Sequence, residues 1–159
     1  MDVKKVMVFG TPSSSKGDIM RRMCSKRVKT VSMEYGTAII EKTKIHFFSQ
    51  AEDEKFSFMN KVLSKNLDGA IIFLDKAQKM NDTQLKNIKD VMGCAPYIIF
   101  TNNTNKVGPD LNTTFSAPVI YTNEYQSSKL DNGIKTLLKM MSQLNVVNNR
   151  KHTEENILN

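Results

Sequence analysis

Gly10 and Lys16 frame the stretch GTPSSSKGD, which follows the apolar run VMVF near the start of the chain. A loop that cradles phosphate reads Gly, four residues, Gly, Lys, then Ser or Thr. Here Ser15 stands at the second glycine and Gly17 at the hydroxyl position. Lys16 keeps the charge that reaches a terminal phosphate. Asp18 follows directly, as a helix cap, a source of repulsion toward phosphate, or part of an altered metal site. Other candidate groups stand after apolar runs: Ser49, Asp75 and Asn102. The histidines, His46 and His152, are far apart, and so are the cysteines, Cys24 and Cys94; neither a metal cluster nor a nucleophile–base pair is spelled out.

Elements must position these groups. Val3, Val6, Val8 and Phe9 predict a strand that breaks at Gly10, Pro12 and the serines. Residues 18–25 predict a helix, followed by a basic cluster of Lys26, Arg27 and Lys29. Residues 30–40 alternate through Val31, Met33, Tyr35, Thr37 and Ile39, and residues 45–48 return beside them after a turn at 42–44. Phe56, Met59 and Leu63 recur at helical spacing, as do Leu85, Ile88, Val91 and Met92. Residues 70–74, 97–100 and 118–121 read as short buried strands. Leu130, Ile134, Leu137, Leu138, Met141 and Leu144 form the stripe of a last helix. Residues 145–159 read as a polar, flexible tail beyond a domain spanning residues 1–144.

Short apolar strands alternating with helices predict an α/β fold with a mostly parallel sheet, one antiparallel edge strand and helices on both faces. Ligands bind such sheets at the carboxyl ends of the strands. Gly10, Ser49, Asp75 and Asn102 therefore share one rim.

The chain has 159 residues and a net charge of +7. No apolar run is long enough to cross a bilayer, and the N-terminus carries no secretory pattern, so the expected location is cytoplasmic. The positive charge suits an acidic partner, but no aromatic residues interleave with the basic ones, and neither DNA nor RNA is expected. A protein partner is expected.

The stretches VMVFGTPSSSKGD, TVSMEYGTAII, HFFSQAEDEKFSFM, GAIIFLD, IIFTNNTN and VIYTNEY resemble, in order and spacing, the Ras-like small GTPase domain of the P-loop NTPase superfamily. The likeness is closest to prokaryotic gliding-motility (MglA-like) small GTPases. It implies GTP or GDP as ligand, with magnesium. The resemblance places Gly10, Ser13, Ser14, Ser15, Lys16, Gly17 and Asp18 around the phosphates. It makes Thr30 the switch threonine that senses metal and last phosphate, with Asp18 as a second metal candidate. It aligns Asn102 and Asn105 with the Asn-Lys-x-Asp base motif, and Thr122 and Asn123 with the last base contact.

Almost every motif departs from the family pattern. Ser15 replaces a nest glycine, and Gly17 replaces the magnesium-binding hydroxyl. Glu52 stands where a glycine donates its N–H to the last phosphate. Asp53 stands at the usual glutamine and is the candidate catalytic group. Asn105 replaces the aspartate that accepts guanine's two donors. Two expectations follow. One is a small GTPase with a degenerate site, binding guanine nucleotide weakly and hydrolysing it slowly. The other is a pseudo-GTPase that keeps the fold as a protein-interaction module.

Overall fold

A computed structural model of the chain describes residues 1–10, 16–30, 33–50, 59–74, 82–101, 117–121 and 127–158. Its centre is β1 (Asp2–Gly10), where Val6, Met7, Val8 and Phe9 are all buried. A strand apolar on both sides needs a layer on each face, and this one has both. Val6 and Val8 join a cluster with Ile19, Met20 and Met23 of α1 (Lys16–Met23). The same cluster holds Leu130, Ile134 and Leu137 of α4 (Ser127–Leu158). Met7 and Phe9 point the other way, toward Leu63 of α2 (Met59–Leu63) and Met92 of α3 (Asp82–Met92).

Among the described residues, seven strands form one sheet in the order β2-β3-β4-β1-β5-β6-β7. They are β2 (Lys26–Lys29), β3 (Met33–Ile40), β4 (Thr43–Gln50), β5 (Gly69–Leu74), β6 (Tyr97–Thr101) and β7 (Val119–Tyr121), besides β1. The four pairings from β4 through β1, β5 and β6 to β7 are parallel; β2–β3 and β3–β4 are antiparallel. The antiparallel margin is thus two strands wide. The basic run after α1, expected only as a charge cluster, is itself the outermost strand.

The alternation within β3 also faces opposite to its apolar pattern. Glu34 and Ala38 are buried on the α1 side, while Tyr35 is half-buried and Ile39 is 61% exposed. Close packing explains the inversion. A Cβ on Gly36 would run into the Cys24 thiol and crowd the Lys26 carbonyl, so the layer there admits only small residues. The β3–β4 turn puts Glu41 and Lys42 at φ 49° and 65°, the left-handed pair that a two-residue hairpin needs.

Phe73 of β5 and Phe100 of β6 stack at 5.3 Å between ring centroids. Both are fully buried, each worth about 1.5–3 kcal/mol of transfer free energy. α4 crosses this pair at Gly133, where any Cβ would meet the Phe100 ring and Ile120. The helical backbone continues to Leu158, past the point near Val147 where the sequence suggests its end. No Gly or Pro follows Gly133 to interrupt it.

Candidate functional site

The carboxyl ends of β1, β4, β5, β6 and β7 lie along one rim. Strand register fixes their level: Gly10 pairs with Phe73, Phe73 with Phe100, and Phe100 with Ile120. β3 runs the other way and starts at this rim, with Met33 opposite Gln50. α1 begins at Lys16, so the chain passes from the central strand to a helix N-terminus within residues 11–15. The first turn of that helix, which includes the backbone of Lys16, Gly17 and Asp18, has amides with no intrahelical partner. That is the geometry in which an anion is held by a helix start. The side chains of Lys16 and Asp18, and the whole of Ser13, Ser14 and Ser15, lie outside the described residues.

Thr30 sits on the same rim, in the connection from β2 to β3. Its amide donates to the Met33 carbonyl at 2.8 Å. Its hydroxyl donates to that same oxygen at 3.0 Å and accepts from the Met33 amide at 3.1 Å. These three bonds tie the Thr30 hydroxyl to the Met33 backbone in a local turn. Asn102 and Thr122 follow Thr101 and Tyr121, the last residues of β6 and β7. They lie outside the described residues, as do Glu52, Asp53, Asp75, Asn105 and Asn123. Among the described residues, no group of three His, Cys, Asp or Glu is arranged to hold a metal ion.

Three buried polar side chains stand near the rim: Glu34, Ser49 and Thr101. Glu34 and Ser49 face each other across β3 and β4. Arg27 reaches over from β2 and places its guanidinium 3.0 Å from the Glu34 carboxylate. Sequence reading missed this pair; the signal was the lone acid in an otherwise neutral strand next to KRVK. Cys24 lies beside it. Burial, then the Glu34 carboxylate, pushes the Cys24 thiol up to about 11, with Arg27 opposing.

Other polar groups belong to the frame. The Lys5 amide donates to Asp68 Oδ2 at 2.8 Å, and its Nζ donates to the Lys65 carbonyl at 2.7 Å. Burial lowers the Lys5 pKa, and Asp68 opposes that shift. An open depression of about 370 Å³ between the β3–β4 turn and α4 is lined by Glu41, Thr43 and Lys139, among others. It lies at the opposite end of the sheet from Gly10.

Comparison with known proteins defines the fold. The structure is similar to that of a point variant of Aquifex aeolicus Era bound to GDP·AlF4−, with a TM-score of 0.64 and 17% identity. The likeness covers 87% of this chain and 57% of the Era chain, so the chain spans little more than half of that protein. The fold is that of a P-loop GTPase. No family model matches the sequence. The chain is 31% identical over 111 residues to the uncharacterized protein MJ1339 of Methanocaldococcus jannaschii, covering 65% of this chain and 72% of that protein. It belongs to the same family as MJ1339.

Proposed function

We propose that the chain is a small-GTPase-like protein with a degenerate site, which binds guanine nucleotide weakly and hydrolyses it slowly. One observation carries the reading: the central strand ends at Gly10 and the next helix opens at Lys16. That succession of strand end and helix start, on the ligand-binding rim, suits a phosphate chain held by helix amides and a lysine. Era, which shares the fold, was solved with GDP·AlF4−. Asn102 and Asn105, with Thr122 and Asn123, are the residues expected at the base; Asp53 is the candidate to orient water. The finer likeness, to the gliding-motility type of small GTPase, rests on the sequence stretches alone.

The test is calorimetric titration of nucleotide-free protein with GDP and GTP, with and without magnesium, and with ATP as control. Saturable, guanine-selective heat that disappears in Lys16→Ala supports the reading. A flat titration on folded protein overturns it.

The second reading, a pseudo-GTPase serving as an interaction module, is favoured by the local engagement of Thr30. Its hydroxyl donates to and accepts from Met33, so a switch that moves Thr30 toward a phosphate would first have to break that turn. Replacements at Ser15, Gly17, Glu52, Asp53 and Asn105 affect different parts of a nucleotide site and support the same view.

A further inference from the structure

We propose that the open face of β2, β3 and β4 binds single-stranded RNA, with bases stacked on Tyr35 and His46 and phosphates met by lysines. The inference goes beyond the nucleotide reading and does not depend on it.

Strand register collects the site. Val28 pairs with Tyr35, and Tyr35 with Phe48. Two residues along, Lys26 pairs with Thr37, and Thr37 with His46. Ile39 opposite Lys44 begins the next row. Cross-strand partners share a face, as do alternate residues of a strand, so these rows lie on one side of the sheet. Glu34 and Ala38 lie on the other, against α1. Along the chain no aromatic residue falls among the basic ones; the sheet interleaves them. The face is apolar without being covered. Val28 is 57% exposed and Ile39 61%, and Tyr35 and His46 are half-buried. Leu63 of α2 and Met92 of α3 cover the adjoining part, with Phe48 at its border. An exposed apolar patch with a polar margin marks an interaction site.

The side chains define the occupant. The Tyr35 ring stacks on His46 at 5.7 Å between centroids and meets Phe48 at 5.0 Å. Its hydroxyl is hydrogen-bonded to His46 Nδ1. The rings are therefore fixed before a ligand arrives, and a base that stacks on them costs little side-chain ordering. Lys26 is exposed and Lys44 partly so, one on either side of the rings. Lys5 Nζ, which donates to the Lys65 carbonyl, also lies 5.3 Å from the Phe48 ring centre. Glu34 is the one acid in β2, β3 and β4, and it is on the opposite face. The sign of this face suits a polyanion, and the rings suit one that carries flat groups. A second copy of the chain would set lysines against lysines. An acidic peptide matches the charge but brings no bases to stack. Thr37 stands between Lys26 and His46, and its hydroxyl suits a ribose 2′-hydroxyl, which favours RNA over DNA. Three rows across three strands measure roughly 14 Å by 10 Å, room for about two stacked bases.

The probe is a fluorescent oligouridine, followed by anisotropy on the full chain. An abasic oligoribonucleotide, oligo-dT and polyglutamate serve as comparators. The expected result is saturable binding of oligouridine, tighter than that of oligo-dT and about tenfold or more tighter than that of the abasic strand or polyglutamate. Tyr35→Ala should weaken it by about tenfold, while Tyr35→Phe, which keeps the ring, should bind as the parent does. Lys26→Gln with Lys44→Gln should make the slope of log affinity against log salt shallower by about 1.4, at about 0.7 for each phosphate contact. If Tyr35→Ala unfolds the protein, Tyr35→Phe and the abasic comparison on the unaltered chain decide. No binding of oligouridine, or equal binding of the abasic strand, polyglutamate or oligo-dT, overturns the proposal. Displacement of oligouridine by GTP would move it to the Gly10 rim and overturn the proposal as well. Titration with GDP and GTP is read separately, so failure here and failure of the nucleotide reading are distinguishable.

Discussion

Cys24 lies where α1, β2 and β3 meet, and its surroundings hold its proton. Burial and the Glu34 carboxylate raise its pKa from 9.0 to about 11. A neutral thiol is a poor nucleophile. At slightly alkaline pH an alkylating reagent should therefore label the exposed Cys94 well before Cys24, as mass spectrometry of the folded protein would show; equal rates would contradict the packing. The linkage has a definite sign. As pH rises from 9.0 toward about 11, the unfolded thiol releases its proton while the folded one keeps it. The folded state then binds more protons, so stability falls through that window. Cys24→Ala should flatten that decline in urea denaturation. At the same scale, Glu34→Ala should destabilise the fold by about 1–3 kcal/mol, since it removes the carboxylate that Arg27 lies against.

Two elements carry geometry that invites substitution. α4 approaches β6 only because Gly133 has no side chain. Gly133→Ala gains helix propensity but drives a methyl into the Phe100 ring, and should lower stability by about 1–3 kcal/mol. The β3–β4 turn is the opposite case. Lys42 occupies a left-handed conformation at φ 65° without being glycine. Lys42→Gly should raise stability in urea denaturation by about 1 kcal/mol, because the turn no longer strains a Cβ. Elements also show what the sequence made legible. β1, β5 and β6 were plain, because strands buried on both sides are short uninterrupted apolar runs. β3 was placed correctly in the chain but its buried face was not. The face was set by Gly36 and Ala38 fitting under Cys24, a matter of steric room that hydrophobic alternation does not register. β2 was missed because KRVK has the composition of a solvated run. Only pairing with β3 makes it a strand.

At the scale of the molecule, rim and core are separable. The apolar layers close around the sheet through other side chains, of which Ile19 and Met20 are the nearest to Lys16 along α1. Lys16→Ala should therefore leave the unfolding midpoint of the nucleotide-free protein where it was. It should abolish any rise that guanine nucleotide produces, a rise of about 2.7 kcal/mol at a ligand concentration about one hundred times Kd. Differential scanning fluorimetry of both proteins measures this directly. The rim itself was legible as a location, since strand ends in a parallel sheet gather on one side. The engagement of Thr30 with Met33 was not, because a hydroxyl's partner depends on turn geometry that spacing does not encode.

The position of β1 also governs when the molecule can form. Among the strands described, the central one is synthesised first. Its neighbours, β4 and β5, begin at Thr43 and Gly69. The β2–β3–β4 meander is local and can assemble early, but β1 lacks a partner on its other side until β5 has left the ribosome. Parallel pairing of β1 with β5 is non-local, and such pairings form later than local hairpins. A nascent chain halted before Gly69 should therefore expose Met7 and Phe9 to chaperones, and release of the chain past Leu74 should end that exposure. Time-resolved cross-linking on stalled ribosomes would record the change as a step between those two lengths.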